Sequence, residues 1–364
     1  MKKKILFATH EDLGKTAVAR SMFLDVASSL SDEYDCTVLS AGNIQKEIRI
    51  SGLDHLHFER RNPGAVSLRD AWSMAKYIFR NRRVLADFDI YYVRSYPAMI
   101  LLATIGRRLS TPIIFDTRGL FFHELLDSKK IKSKNFLPAL IRLEKWLLRS
   151  AKAVICVSEA QMRYYLTLEP NKKKYHIIYN SAPAPKIPPV AAETSPLTIA
   201  YVGSMGIWHL PQQINLIVNQ LRKSVPDLKF HCITPDIDQA KSLFSSHPNT
   251  LIYSHSFRYA PKRFDFAFCL IKDSFSKKVC FPVKLCEYLA AQTPVVFSDN
   301  VDVCNSLNDK YNFGVPISLL TPPEVVADEL IELLPAIKKM TATLPDELNF
   351  ESLIQKVVTV IKSM

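Results

Sequence analysis

Residues 281–299 read FPVKLCEYLAAQTPVVFSD, and two of these side chains have types and spacing suited to shared chemistry. Lys284 and Glu287 stand three apart, which puts them on one face of a helix. Pro282 suits the start of that helix, where a missing N–H costs nothing. Lys284 then falls in the first turn, beside backbone N–H groups without helical partners and at the positive end of the helix dipole. Such an end is an anion site, and an added lysine suits a diphosphate. Glu287, one turn deeper, is placed to accept hydrogen bonds from a ribose diol. An ordinary ion pair between the two accounts for the same spacing.

A second set lies in the first half. His10, Glu11, Asp12 and Gly14 share the stretch HEDLGK after an apolar run, where a glycine lets the backbone come close to a ligand. Asp116, Arg118, His123 and Glu124 follow the run PIIF. These groups are able to orient or deprotonate a hydroxyl. They also have plainer uses as caps, hinge contacts or surface charge. Arg118 and Glu124 are the first choices for catalysis because they stand just past the end of a buried strand.

The elements that must position these residues alternate. KKILFAT, CTVLSA, DIYYVRS, PIIFDTRG, AVICVSEA and KYHIIYNSA read as strands, with helical stretches such as TAVARSMFLDVASSL, SLRDAWSMAKYIFRNRRVL and AMILLATIGRRL between them. HEDLGK reads as a polar loop. Alternation of this kind implies a parallel, doubly wound sheet. Residues 181–196 then carry five prolines in sixteen positions, which excludes a helix or a central strand and suits a linker. The alternation restarts with LTIAYVGS and runs through LKFHCIT, TLIYSHS, FDFAFCLI and PVVFSD to helices at the C-terminus. The expectation is α/β: a Rossmann-like domain over 1–182, a Pro-rich linker over 183–196, and a second Rossmann-like domain over 197–364. The last helix is a candidate to pack back on the first domain. Ligands of open parallel sheets bind at the carboxyl ends of the strands, so two such domains are expected to face each other across a cleft.

Composition narrows the class. Of 364 residues 48% are apolar and 23% charged, a globular balance. No run reaches the ~18–20 apolar residues of a membrane span. The three N-terminal lysines precede an apolar stretch of only about five residues, short for a signal peptide. A cytoplasmic chain is expected. The seven cysteines are odd in number, scattered and without a C-x-x-C pair, which suits buried thiols rather than a disulfide framework or a zinc site. No metal is expected.

The net charge is +12, and it lies entirely in residues 1–185, with 30 basic and 18 acidic groups, against 17 and 17 in 186–364. A basic half attracts phosphorylated molecules or the anionic inner face of the plasma membrane. Its clusters are Arg80, Arg82 and Arg83, and Lys129, Lys130, Lys132 and Lys134. The second leads into NFLPALIRLEKWLLRS, with Phe136, Leu140, Leu143 and Leu147 at helical spacing near Trp146. That helix either lies on a membrane or packs over a sheet; its apolar residues cover enough of the circumference to favour packing. Nucleic acid is not expected as a partner, because the basic clusters read as lacking interleaved aromatic residues.

FPVKLCEYLAAQTPVV resembles the donor-binding segment of the group 1, or family 4, glycosyltransferases. YVGSMGIWH (201–209) resembles that family's glycine loop, and LLRSAKAVICVSEA (147–160) and HIIYNSA (176–182) its segments before the linker. FDTRGLFFHE (115–124) resembles an acceptor-side segment of members that build bacterial surface polysaccharides such as O-antigen or capsule. The resemblance implies a GT-B fold, a nucleotide-sugar donor on the second domain, and a glycan or lipid-linked glycan acceptor on the first. It implies transfer without a cofactor or an obligatory metal, usually with retention of configuration. Glu287 would hold the donor ribose, and Lys284 with the backbone around Gly203 and Ser204 the diphosphate. Trp208 and His209, just past the glycine loop, either line the sugar site or simply pack. His10, Gly14, Asp116 and His123 become acceptor-binding candidates. Two positions depart from the family pattern: Val279 replaces a usual glutamate, and Gln292 a usual glycine. A nucleotide-sugar epimerase and an inactive scaffold on the same fold are the alternatives.

Overall fold

A computed structural model describes residues 2–13, 23–41, 53–58, 68–131, 133–182, 196–245, 249–254, 263–340 and 342–364. The chain divides into two units, Met1–Tyr179 with Leu353–Met364, and Asn180–Ser352. Gly14 and nearly all of the Pro-rich segment, residues 183–195, fall outside the described residues.

The first unit is built on seven parallel strands: β1 (Lys4–Asp12), β2 (Asp35–Ala41), β3 (Asp54–Phe58), β4 (Ile90–Arg94), β5 (Ile113–Asp116), β6 (Ala153–Cys156) and β7 (Tyr175–Ile177). Their order is β3-β2-β1-β4-β5-β6-β7. Ile5, Leu6, Phe7 and Ala8 are fully buried, as are Tyr91, Tyr92 and Val93 beside them, because strands covered by helices on both faces read as continuous apolar runs. The order reverses between β1 and β4, and the carboxyl ends of β1, β4 and β5 carry His10 to Asp12, Arg94 and Asp116. That is the topological switch point where such sheets bind ligands.

The second unit repeats the plan with six parallel strands: β8 (Thr198–Val202), β9 (Lys229–Ile233), β10 (Thr250–Tyr253), β11 (Phe266–Cys269), β12 (Val295–Ser298) and β13 (Gly314–Ile317), in the order β10-β9-β8-β11-β12-β13. Its switch point lies between β8 and β11. The glycine loop follows β8, and the Val283–Ala290 helix crosses from β11 to β12. The fold class expected from the sequence, two doubly wound parallel-sheet units, is the one found.

Several local expectations are corrected. HEDLGK is not a loop throughout: β1 runs on through His10, Glu11 and Asp12, with an irregularity in its pairing to β2 between Ala8 and Asp12. SEA does not belong to β6; Ser158 caps the Glu159–Leu168 helix, its Oγ accepting from the Gln161 N–H at 3.0 Å. Residues Phe121–Asp127 form a helix that the sequence reading passed over, and β3 and β13 are strands it missed. The Leu137–Ser150 helix packs on its neighbours, with Glu144, Leu147 and Leu148 buried. All seven cysteines are free and six are buried.

Candidate functional site

In the second unit the sequence motif folds into a tight constellation at the β8–β11 switch point. Gly203 ends β8 with φ +142°, and a Cβ built there would lie 2.9 Å from Lys284 Nζ and 3.4 Å from the Tyr201 hydroxyl. Glycine is required by that backbone angle, and the bare Cα lets the lysine come close. The loop is pinned by the Gly203 N–H donating to the Ile233 carbonyl at 3.0 Å and by the Met205 N–H donating to Asp236 Oδ2 at 2.8 Å. The Tyr201 hydroxyl donates to the Ser204 carbonyl.

The helix opposite is locked by Tyr288. Its hydroxyl accepts from the Val202 N–H at 2.8 Å and donates to the Phe268 carbonyl at 3.0 Å, so one buried phenol ties the helix to both strands of the switch point. Asn180 Nδ2 donates to the Phe281 carbonyl at 2.8 Å, and Cys286 Sγ donates to the Asn180 carbonyl at 3.2 Å, which fixes the helix start. Pro282 is its N-cap.

Lys284 is thereby held with 7% exposure and its Nζ 4.6 Å from the centre of the Tyr201 ring. Its ammonium makes no hydrogen bond and no ion pair among the described residues. The i,i+3 ion pair that the spacing allowed is therefore not formed. Burial pushes the Lys284 pKa down to about 8, against the opposing influence of Cys269, Glu287 and Cys232. A desolvated cation with an aromatic face but no hydrogen bond or ion pair is costly, and an anionic ligand relieves that cost. Glu287 is half-buried one turn on. His209 is held far below its ordinary pKa by burial and by the charges of Lys284 and Lys277, so its ring is neutral. Lys277 Nζ lies 4.5 Å and Lys272 Nζ 5.9 Å from the Trp208 ring. Trp208 thus has two cations within reach of its ring, next to the glycine loop. Val279 is buried and brings no carboxylate to the site.

In the first unit a pocket of about 370 Å³ opens at the ends of β1, β4 and β5, with His10, Glu11, Arg94, Arg118 and Glu124 in its lining. Of the residues singled out from the sequence it gathers His10, Glu11, Arg118 and Glu124. It leaves out Asp12, Asp116 and His123. The Asp116 carboxylate is fully buried; Oδ1 pairs with Arg118 Nε at 2.7 Å and Oδ2 accepts from the Tyr92 hydroxyl at 3.0 Å. Asp116 thus holds Arg118 in place, at φ +51°. His123 Nε2 lies 2.9 Å from the Tyr164 hydroxyl, and burial lowers its pKa.

Arg94 and Glu144 were missed. Arg94 closes the apolar strand IYYVR, is 8% exposed, and makes no hydrogen bond or ion pair among the described residues; its signal was a charge ending a buried run. Glu144 is wholly buried, accepting from the Tyr96 hydroxyl at 2.6 Å and the Tyr164 hydroxyl at 2.8 Å. Burial raises its pKa, and the two hydroxyls oppose that. Tyr96 also lies 2.7 Å from the Tyr165 hydroxyl, which takes a hydrogen bond from Gln161 at 3.1 Å. Gln161 in turn donates to Thr117 Oγ1 at 3.0 Å. This network fixes Tyr96 and Thr117 in the pocket wall. Among the described residues no three His, Cys, Asp or Glu side chains converge on a metal position, and no helix is long and apolar enough to cross a membrane.

Residues 21–183 match the profile of Glycosyltransferase Family 4. Among curated proteins no match is found. Solved structures align over the whole chain. HepE from Anabaena, solved with UDP and glucose, shares 13% identity at TM-score 0.71, covering 100% of both chains. Sucrose-phosphate synthase from Thermosynechococcus elongatus shares 10% at TM-score 0.72, covering 100% of this chain and 99% of its own. The lipopolysaccharide outer core galactosyltransferase WaaB shares 11% at TM-score 0.67, covering 99% of each. At such identities the likeness is one of fold, and that fold is GT-B.

Proposed function

We propose that this GT-B chain, which matches Glycosyltransferase Family 4 over residues 21–183, moves a sugar from a nucleotide-sugar donor to a glycan acceptor. The observation that carries the reading is the buried Lys284 ammonium, without a hydrogen-bond or ion-pair partner among the described residues, closing against Gly203, whose φ of +142° disfavours any side chain. Space and charge are both reserved there for an anion. The donor diphosphate fits. As the sugar–oxygen bond breaks, negative charge grows on the departing diphosphate, and a fixed ammonium in a water-poor site stabilises it without reorganising. Glu287 accepts from the ribose diol, the Ser204 N–H is offered to the phosphates while Gly203, its own N–H held by Ile233, keeps the approach open, and Trp208 flanks the sugar. Because HepE was solved with UDP and glucose, uridine nucleotides are the first donors to test.

The acceptor binds the first-unit pocket. Arg94 and Arg118 donate to its oxygens, and Glu11 and Glu124 receive its hydroxyl protons, with His10 at the rim. Arg118 and Glu124 are the groups assigned to the reacting hydroxyl. The sugar moved is a hexose or a close relative, transferred with retention and without a metal, and the product belongs to a bacterial surface polysaccharide. The resemblance of FDTRGLFFHE to the acceptor-side segment of such enzymes supports that context, as does similarity in fold to WaaB.

The test is a thermal-shift screen of nucleotide sugars followed by product analysis with and without glycan acceptors. A ligand of the native state raises the melting point. Lys284→Ala and Glu287→Ala are expected to remain folded, lose the shift, and transfer at least about 100-fold more slowly, in line with removal of a preorganised charge contact. Unchanged turnover in both variants removes the donor assignment. Nucleotide release or sugar rearrangement without any acceptor dependence converts the reading to an epimerase.

A further inference from the structure

The Leu68–Arg80 helix and the short Arg82–Leu85 helix after it turn one face inward and leave an unusual face outward. Met74, Ile78 and Leu85 are buried, at 1%, 0% and 0% exposure. On the other side Trp72 is 74% exposed, Phe79 62% and Val84 48%. Lys76, Arg80, Arg82 and Arg83 are exposed among them, and residues 72–84 contain no Asp or Glu. Trp72, Lys76 and Phe79 follow helical spacing, so they form a stripe. The Arg82 guanidinium lies 4.9 Å from the centre of the Phe79 ring. Aromatic and basic side chains do interleave here, which corrects the expectation drawn from the sequence.

We infer that this face docks the protein on an anionic lipid bilayer. Exposed tryptophan and phenylalanine prefer the boundary between headgroups and acyl chains, and a basic surround is drawn to acidic headgroups. Charge complementarity favours that occupant: four cations and no acid over thirteen residues, within a half that carries the whole +12 of the chain. The position suits it as well. Parallel strands need crossovers that return the chain, so this helix starts, with Trp72, on the side of the sheet where β1 and β4 end and carries Phe79 and the arginines down the flank toward the other edge. The acceptor pocket opens on that same side. A lipid-linked acceptor held in the bilayer would be presented to the pocket by a protein docked this way. That use rests on the transferase reading, whereas the docking itself does not.

The experiment is flotation of the full chain with vesicles of phosphatidylcholine alone, and of phosphatidylcholine with phosphatidylglycerol, at low and high salt. Binding is expected only to the anionic vesicles, weakening with salt. The double variants Trp72→Ala with Phe79→Ala, and Arg80→Glu with Arg82→Glu, are each expected to lower the partition about tenfold. Both change exposed side chains, and circular dichroism checks the fold. Trp72 fluorescence should shift to the blue on binding, read against a Trp72→Phe control. Transfer to a soluble, lipid-free acceptor should be unchanged in both variants, so a failed docking is told apart from a failed transferase reading. Equal binding to neutral vesicles, no binding to anionic ones, or binding indifferent to both variants overturns the inference. So does tighter binding to a single-stranded oligonucleotide, or a dimer that the Trp72 and Phe79 changes dissociate.

Discussion

On the proposed reading, Lys284 sets the pH response of the donor site. Burial holds its pKa at about 8, against an ordinary value of 10.5, so the free site is cationic at neutral pH and loses its charge above about 8. A nucleotide sugar has no phosphate proton to lose in that range, and the share of any change in affinity that belongs to the lysine is read against Lys284→Met. The dissociation constant should be flat from pH 6 to 7.5 and rise above pH 8 by up to about tenfold per unit, since binding must restore the proton. Folding stability moves the other way. Between about 8 and 10.5 the unfolded chain holds a proton that the folded chain has released, so the contribution of Lys284 to stability rises with pH there. Calorimetry across this range on the native chain and on Lys284→Met decides it; an identical pH profile in both sinks the assignment. The lysine and its glutamate were legible from spacing, and Gly203 from a loop after a strand. The partners that hold them were less so. Nothing in the sequence marks Tyr201 and Tyr288, whose hydroxyls reach the Ser204 carbonyl in one case and join the Val202 N–H to the Phe268 carbonyl in the other. Glu144 sits in an amphipathic helix on the stripe of Leu140, Leu147 and Leu148, and only a tyrosine pair from other helices makes a buried carboxylate tolerable there.

The elements were legible where burial on both faces wrote continuous apolar runs, as in β1, β4, β6, β8, β11 and β12. The missed strands β3 and β13 are both sheet edges. DHLHF is only partly buried, and GVPI carries a proline that an edge tolerates because no ladder is needed on its outer side. Gly314 shows why that strand nevertheless forms as it does: a Cβ there would lie 2.0 Å from the Val295 carbonyl oxygen. The end of the Val283–Ala290 helix was half legible. Gln292, where the family pattern has glycine, takes φ +54°, the left-handed conformation common just past a helix C-terminus. Its N–H donates to the Leu289 carbonyl at 3.0 Å, so the turn persists despite the side chain. A Cβ in this region costs roughly 1–2 kcal/mol. Gln292→Gly gives some of that back as added freedom of the unfolded chain and should stabilise the protein by about 1 kcal/mol net. Urea unfolding followed by fluorescence measures it. A lower midpoint would mean that the glutamine side chain contributes more than its backbone strain costs.

At the scale of the whole chain, contiguity in sequence and contiguity in space part company. The closing segment Leu353–Met364 belongs to the first unit although the second lies before it in sequence. Leu353, Val357, Val360 and Ile361 are 2%, 0%, 2% and 0% exposed. Lys356 lies 5.5 Å from the Tyr179 ring, and Lys362 pairs with Glu33 at 3.7 Å through exposed side chains, a contact of little weight. The aliphatic residues carry the attachment. Four buried aliphatic side chains contribute roughly 1.5–3 kcal/mol each before the entropy of ordering the helix is set against them. A domain has only about 5–15 kcal/mol in all. Ending the chain after Ser352 should therefore remove most of the margin of the first unit. The second unit keeps its own core around Ile199, Phe230, Phe268 and Leu330, none of which lies in the lost segment. Unfolding of such a chain is not a single two-state step. Calorimetric scans of the shortened chain should show the first-unit transition moved to much lower temperature, while a nucleotide sugar still raises a second transition. If both transitions fall together, the units share their stability and the donor site depends on the first. If neither moves, the helix is an ornament on the first unit rather than part of its core.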